Sequence, residues 1–588
     1  MNLIEVKHQL FKLVIDSVAA AYPNVDSAKI AFSEDQIFKI PELPEHGFLT
    51  TNAALQLQSL VSIDDKQANP REIAQKLVDE LGKAINKSRL SGYISKVDIA
   101  GPGFINFYAS DRIYIDCSLN VLKEPDTWGT NSLFKNKNIL IEFTDPNPFK
   151  EFHIGHLMSN CIGESLARLY EFSGAKVHRL CYQGDVGMHV AKTIWAWRKD
   201  ENRSISELSD LKLAEKVNLL GKWYAMGSKI YADGSDSQKE EIKLVNKLIF
   251  SREDKDINKF YDLGKKWSLE AFDVIYSKLG TKFEKLYFES NTGKVGQTIV
   301  SENIGQFFEK SKGAVIFPGE KYGLHSRVFI NSQGLPTYEA KELGLAVIKD
   351  KDFNYDLSII VTGNEVNDYF KVLLKVLEQI EPTIYEKTTH IGHGMLRLPS
   401  GKMSSRTGNV VTGNGLLELV SKKIIEVNPK STKKLADNLA VSAIKFSLLK
   451  QNIGNDVVFD IDESVSLHGA TGVYIQYTHA RANSLLTKAR FDGDNLSIGN
   501  GSLSDKYKDI YREIFAFPLV VAQASINRSP NSVAIHLLNI SQLYNSFYTE
   551  NRIIGSEKEQ EGIVLTYMVK QTLANGLKAI GINPVSKM

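Results

Sequence analysis

The 588-residue chain has only three cysteines, Cys117, Cys161 and Cys181, with no Cys-x-x-Cys pair among them. That scarcity disfavours both a disulfide framework and a cysteine-ligated structural zinc, and it points to a reducing cytoplasmic setting. No apolar run approaches the roughly 18 uncharged residues that cross a bilayer. The run from Ile514 to Ala522 is too short, and acidic residues stand near the N-terminus where a signal peptide would carry none. No membrane partner is expected. Neither sign of charge dominates: 71 Lys and Arg against 69 Asp and Glu leave +2. Such a balance neither demands nor forbids a nucleic acid partner, since a basic face can coexist with acidic regions. Internal repeats, low-complexity tracts and the GxxxxGK[ST] and GxGxxG loops are absent too, so Gly101-Pro102-Gly103 reads as a turn.

What is present is a globular composition, 43% hydrophobic and 24% charged, in a chain long enough for about three or four domains. Residues 1 to about 114 open on an amphipathic helix carrying Leu3, Leu10, Leu13, Val14 and Val18 and close on the alternating Phe104-Ile105-Asn106-Phe107, which predicts an α+β domain. From about 115 to 465, strands such as Lys176 to Tyr182 and Leu357 to Val361 alternate with helices, as a doubly wound, Rossmann-like parallel sheet requires. Charge-dense stretches at Asp236 to Leu244 and Arg252 to Lys259 read as exposed helices of an insertion. Residues 466 to 588 carry helical periodicity with few strand signals, which predicts an all-α C-terminal domain.

Two separated stretches carry complementary halves of a phosphate chemistry. Asn138 to Thr144 is a β-branched apolar run, Asp145-Pro146-Asn147-Pro148 is a turn, and from about His153 the pattern turns helical, with Leu157, Cys161, Leu166 and Leu169 on one face and Gly174 at its end. His153, Gly155 and His156 therefore sit where free backbone N–H groups and the helix dipole favour a phosphate. Far downstream, Gly401-Lys402-Met403-Ser404-Ser405-Arg406 is a cationic loop. Fixed cations of this kind stabilise charge growing on a departing pyrophosphate. The pair predicts ATP as substrate and adenylate formation as chemistry. His390-Ile391-Gly392-His393 repeats the histidine tetrapeptide, but it runs straight into Met395-Leu396-Arg397-Leu398 with no amphipathic helix behind it, so it reads as a strand end and the first copy as the functional one. Metal ligation by His153, His156 and Cys161 lacks an acidic fourth partner at suitable spacing.

These motifs resemble the HIGH and KMSKS signatures of class I aminoacyl-tRNA synthetases. The run Asp145 to His156, with its Pro-Asn pair and Lys150, resembles the arginyl branch. So do Gln183-Gly184-Asp185-Val186-Gly187, Thr471 to Arg481, Asn52 to Leu57, Ala100 to Asn106 and Gly576 to Ile582, so the likeness covers nearly the whole chain. The resemblance implies an arginine-tRNA ligase. Its catalytic residues would be His153, His156, Lys150 and Lys402, with Gly155, Met403, Ser404, Ser405 and Arg406 also on ATP, and magnesium but no zinc. It further implies tRNA, L-arginine and ATP as partners, a monomer, a tRNA-docking N-terminal domain (1–114), a catalytic domain with helical insertions (115–465) and an anticodon-binding helical domain (466–588). By the same likeness, Glu142, Thr144, Asn147, Tyr338 and Glu342 line the arginine pocket. A planar, permanent cation needs carboxylates and carbonyls, and Tyr338 and Glu342 are one helical turn apart. The alternatives are a solvated strand edge for Glu142 and an exposed helix face for Glu342.

The chain departs from the family at three places: Glu stands at 142 and 342 where aspartate is more familiar, Val366 where glutamine is common, and Ser405 where the loop has its second lysine. Tyr474, Gln476, Tyr477 and Arg481 interleave aromatics and polar groups, which suits either stacking on unpaired bases with a grip on phosphate or packing at a domain interface. Two other functions compete. An amino-acid-activating paralogue would not need the outer regions, and a non-catalytic RNA-binding protein would not need both motifs intact.

Overall fold

The computed structural model describes residues 2–25, 32–63, 66–399, 412–491 and 503–588. The first helix, Leu3–Ala21, starts at Asn2, whose side chain accepts from Glu5 N while Glu5 accepts from Asn2 N. It buries Leu3, Leu10, Val14 and Val18 and packs against Pro70–Asn86. That second helix lies on an antiparallel sheet ordered Phe38–Lys39, Leu49–Thr51, Phe104–Ala109, Ile94–Ala100.

The central layer begins with β1 (Asn138–Phe143), a continuous apolar run because both faces are covered. Ile139, Ile141 and Phe143 join one core, and Leu140 joins another on the opposite face. After the Asp145–Pro148 turn, α1 (Ile154–Phe172) starts from the N-cap His153. Gly163 allows close approach of α1 to β1, since a Cβ there would stand 2.1 Å from the Phe143 ring. Gly174 at φ 88° turns the chain into β2 (Lys176–Gln183). Four long helices follow, Met188–Asp200, Leu213–Asp233, Asp236–Ser251 and Lys255–Leu279, with a short one at Ile205–Ser209, around their own core of Trp195, Trp223, Phe260 and Trp267. The charge-dense stretches belong to the last two. Asp236–Ser251 buries Ile242, Val245 and Ile249 and leaves its charged side in water.

Next come β3 (Lys285–Phe288), α2 (Glu289–Glu302), α3 (Tyr338–Asp352), β4 (Leu357–Gly363) and β5 (Thr388–His393). The five strands form an all-parallel sheet ordered β5-β4-β1-β2-β3. The chain steps outward from β1 to β3 and then returns to the other side for β4 and β5. The strand order thus reverses between β1 and β4, which opens a crevice at the carboxyl ends.

The C-terminal helices are α4 (Gly472–Lys488), Asp505–Asn527, Pro530–Glu550 and Glu559–Ala579. The last three pack on α1, so the helix carrying the histidines touches both the sheet and the C-terminal bundle. The buried Lys445 ties the units further, donating to the carbonyls of Leu279 and Gly581, each at 2.6 Å. Among the described residues no helix is long and apolar enough to cross a membrane, and all three cysteines are buried free thiols.

Candidate active site

The crevice is an open cavity of about 520 Å³ whose walls come from the ends of β1, β2, β4 and β5 and from α1, α2 and α3. The turn after β1 is strained: Thr144 and Asp145 both have left-handed φ, 82° and 46°. A non-glycine residue holds such a conformation only where its surroundings over-determine it. Here they do. Thr144 N donates to Ser159 Oγ at 2.9 Å and Asn160 Nδ2 to Thr144 Oγ1 at 3.0 Å. Tyr182 N donates to Asp145 Oδ1 at 2.7 Å and Gly184 N to Asn147 Oδ1 at 3.0 Å. Thr144, Asp145 and Asn147 are thereby aimed into the cavity.

The two histidines at the start of α1 have defined chemistry. Gly155 N donates to His153 Nδ1 at 3.1 Å, and His153 N donates to His156 Nδ1 at 3.2 Å. Backbone N–H groups only donate, so each ring carries its proton on Nε2. The rings stack with centroids 3.5 Å apart. Loss of solvation in the cavity wall, then Lys150, pushes His153 down to about 4. Loss of solvation, His153 and Lys150 push His156 well below the usual range. Both are therefore neutral Nε2–H donors near pH 7, acting as hydrogen-bond donors and not as cations.

The cation Lys150 stands beside the cavity, not in its wall, with Nζ 5.5 Å from the Tyr224 ring centroid. Lys402, Met403, Ser404, Ser405 and Arg406 lie outside the described residues, but the chain following them is placed. Thr412 bridges to His153, and Gly413 N donates to Phe152 O at 2.7 Å. The stretch that follows the cationic loop is therefore stitched to the histidine stretch.

The cavity is also lined by Tyr338, 61% exposed, and by Glu342. Burial and the neighbouring Glu142 push the Glu342 carboxyl well above the usual carboxylate range, and it has no hydrogen-bond or ion-pair partner among the described residues. The other acids nearby are mostly engaged. Glu289 pairs with Lys341 at 2.6 Å and Glu339 with Arg327 at 3.4 Å. Glu142 is not brought into the wall: it is buried against Lys349 at 2.7 Å. In this structure Lys349 from α3 occupies the carboxylate that the resemblance assigned to the arginine pocket. Val366, in the turn after β4 where the family commonly has glutamine, does line the cavity.

Sequence reasoning missed several wall residues. Asp145 had a signal, lying in the same Pro-Asn turn, whereas Glu289, Tyr182 and Arg327 had none, being brought in from distant segments. The repeated tetrapeptide is the sharper case. It does end a strand, with His390 stacked on Phe370 and its Nε2 2.7 Å from Thr362 Oγ1. Yet His393 lines the same cavity as His153 and His156. Among the described residues no group of three or more His, Cys, Asp or Glu could hold a metal ion.

On α4, Tyr474, Tyr477 and Arg481 line a separate cavity of about 530 Å³. Arg481 lies between the rings of Tyr477 and Tyr548, at 4.5 and 4.8 Å, and donates to Asn545 Oδ1 at 2.7 Å. Gln476 is different: it is fully buried, donating to Asn583 O and accepting from Val585 N, both at 2.8 Å. The C-terminal tail covers that side of the helix, so Gln476 offers no surface to RNA.

Comparison with known proteins agrees along the whole chain. Residues 120–461 match the family model for tRNA synthetases class I (R), catalytic domain; 475–588 match the DALR anticodon binding domain; and 8–109 match the arginyl tRNA synthetase N terminal domain. The arginine–tRNA ligase of Borrelia hermsii is 31% identical over 516 residues, covering 83% of this chain and 86% of that protein. That of Flavobacterium psychrophilum is 28% identical over 618 residues, covering 99% and 98%. The fold is that of the solved Thermus thermophilus arginyl-tRNA synthetase, with TM-score 0.76 at 20% identity over 98% of this chain and 100% of that one. With the histidine motif at the crevice and all three family models matched in order, the chain belongs to the arginyl-tRNA synthetases of class I.

Proposed function

We propose that this cavity joins L-arginine to ATP and passes the arginyl group to tRNA, with the work divided among its walls. The arginine carboxylate attacks the α-phosphate, forming an acyl–phosphate bond as the bond to pyrophosphate breaks. The Nε2–H groups of His153 and His156 and the free N–H groups opening α1 donate to phosphate oxygens. Lys150, Lys402 and Arg406 supply positive charge to the leaving pyrophosphate, with magnesium entering as part of the ATP substrate. Glu342 and Tyr338 hold the guanidinium, and Asp145 and Asn147 face the α-ammonium. In the second step a hydroxyl of the terminal adenosine of tRNA attacks the acyl carbon and AMP leaves. Little covalent catalysis by the protein is needed, because positioning and fixed charge dominate such displacements. Tyr474, Tyr477 and Arg481 contact the RNA by stacking and charge. A monomer acting in the cytosol without resident zinc completes the reading.

The observation that carries this reading is that Glu342, whose carboxyl has no hydrogen-bond or ion-pair partner among the described residues, lines the same cavity as the histidine cradle. The test is pyrophosphate exchange into ATP with each amino acid, with and without bulk tRNA. Arginine alone should support exchange. Exchange with another amino acid and not with arginine would overturn the assignment.

A further inference from the structure

The cavity holds three imidazoles that do not present the same chemistry. His153 and His156 use Nδ1 to accept backbone N–H groups, so they turn Nε2–H donors toward the site. His393, at the end of β5 and 5% exposed, has Nδ1 2.7 Å from the carbonyl oxygen of Gly394. A carbonyl only accepts, so Nδ1 carries the proton there. Burial lowers the ring's proton affinity below the usual histidine range, which keeps it neutral. Its Nε2 is then a bare acceptor, and it has no partner among the described residues. The same cavity therefore combines two imidazole donors with one buried imidazole acceptor.

Position says what the acceptor meets. His393 is paired in register with Gly363 of β4, and Val361 of β4 with Phe143 of β1. His393 thus stands two strands from the phosphate cradle, about 10 Å at the usual strand spacing, and on the side of β1 opposite to β2 and β3. Val361, Thr362 and Gly363 lie between, a small and partly apolar floor open to a flat ring. His390 fixes the neighbouring strand, through its bond to Thr362 Oγ1 and its stack on Phe370. A nucleotide whose phosphates lie at the start of α1 can lay its base across this floor, within reach of His393.

Resting on the ATP reading above, we propose that His393 is the residue that selects the base, its Nε2 accepting a hydrogen bond from the exocyclic amino group of adenine. Guanine carries a carbonyl at that ring position, an acceptor. Guanine would oppose two acceptors in a buried wall, leaving both without a partner. The second copy of the tetrapeptide thereby serves the same substrate as the first, with reversed hydrogen-bond polarity.

Arginine-dependent pyrophosphate exchange in the presence of tRNA tests this, with ATP, GTP and purine riboside triphosphate, which has hydrogen in place of the 6-amino group. The full-length protein should prefer ATP to the 6-deamino analogue by about tenfold, the effect of one hydrogen bond to a buried group. His393→Leu should raise the KM for ATP about tenfold and leave those for the analogue and for arginine unchanged, so that the two nucleotides converge. His393→Gln, whose Oε1 reaches the position of Nε2, should keep most of the ATP preference. A Leu variant that retains the full preference, or that raises both nucleotide KM values equally, overturns the proposal. Failure of the underlying reading looks different: the unaltered protein would then show no arginine-dependent exchange with any nucleotide.

Discussion

Lys349 Nζ lies 2.7 Å from Glu142 Oε2, with the two side chains 3% and 2% exposed. Two charges removed from water in this way stabilise little as a pair, but removing one partner leaves the other uncompensated. Lys349→Met should therefore lower stability by about 3–5 kcal/mol, while the double variant Lys349→Met/Glu142→Gln should recover much of that. Urea unfolding of the four forms measures it. A Lys349→Met protein as stable as the parent would mean that Glu142 is already neutral.

The histidine pair predicts a pH profile. Since His153 is pushed down to about 4 and His156 lower than usual, kcat/KM for ATP should show no step near pH 6.5, where an ordinary histidine titrates. A rate that rises as pH falls through that region would show that an imidazolium is the active form. His156→Ala should cost about 3 kcal/mol of transition-state stabilisation, as for loss of one preorganised donor.

Glu342 links arginine binding to protons. Burial and Glu142 raise its carboxyl well above the usual range, so in the empty site the proton is retained at pH values where a free carboxyl has lost it. The folded state then gains stability at low pH that falls away as pH rises toward the raised value. Arginine, a permanent cation, favours the ionised form. Its affinity should climb with pH through that range and its binding should release a proton, measurable by calorimetry in two buffers of different ionisation enthalpy. Binding that is indifferent to pH would mean that the guanidinium does not meet this carboxylate.

Arg481, held between Tyr477 and Tyr548, is proposed to meet RNA. Arg481→Gln should weaken tRNA binding and flatten its salt dependence by about one phosphate contact, with the KM for ATP unchanged. Unaltered tRNA affinity would return this cluster to a packing role.

What the sequence made legible is local. The strand-turn-helix from Asn138 to Phe172 was readable because its apolar run, its prolines and its helical spacing are contiguous. The partner of Glu142 was not legible, because alternation in a strand gives two faces without saying what occupies them, and Lys349 is 207 residues away. Gln476 failed similarly: its cover is the tail at Asn583 and Val585. The residues around His393 show correctly that it ends a strand, yet only the parallel pairing of β5 with β4 brings it into the cavity.

The central claim is that the Glu342 carboxyl, ionised when arginine binds, selects a guanidinium, and the most direct measurement compares arginine with citrulline, its neutral isostere, in tRNA charging by the parent and by Glu342→Gln. The parent should favour arginine by at least about a hundredfold in kcat/KM, and Glu342→Gln should bring the ratio within about tenfold through the KM for arginine, with that for ATP unchanged. A ratio that survives the substitution intact would contradict the account and place recognition of the side chain on another group of the cavity.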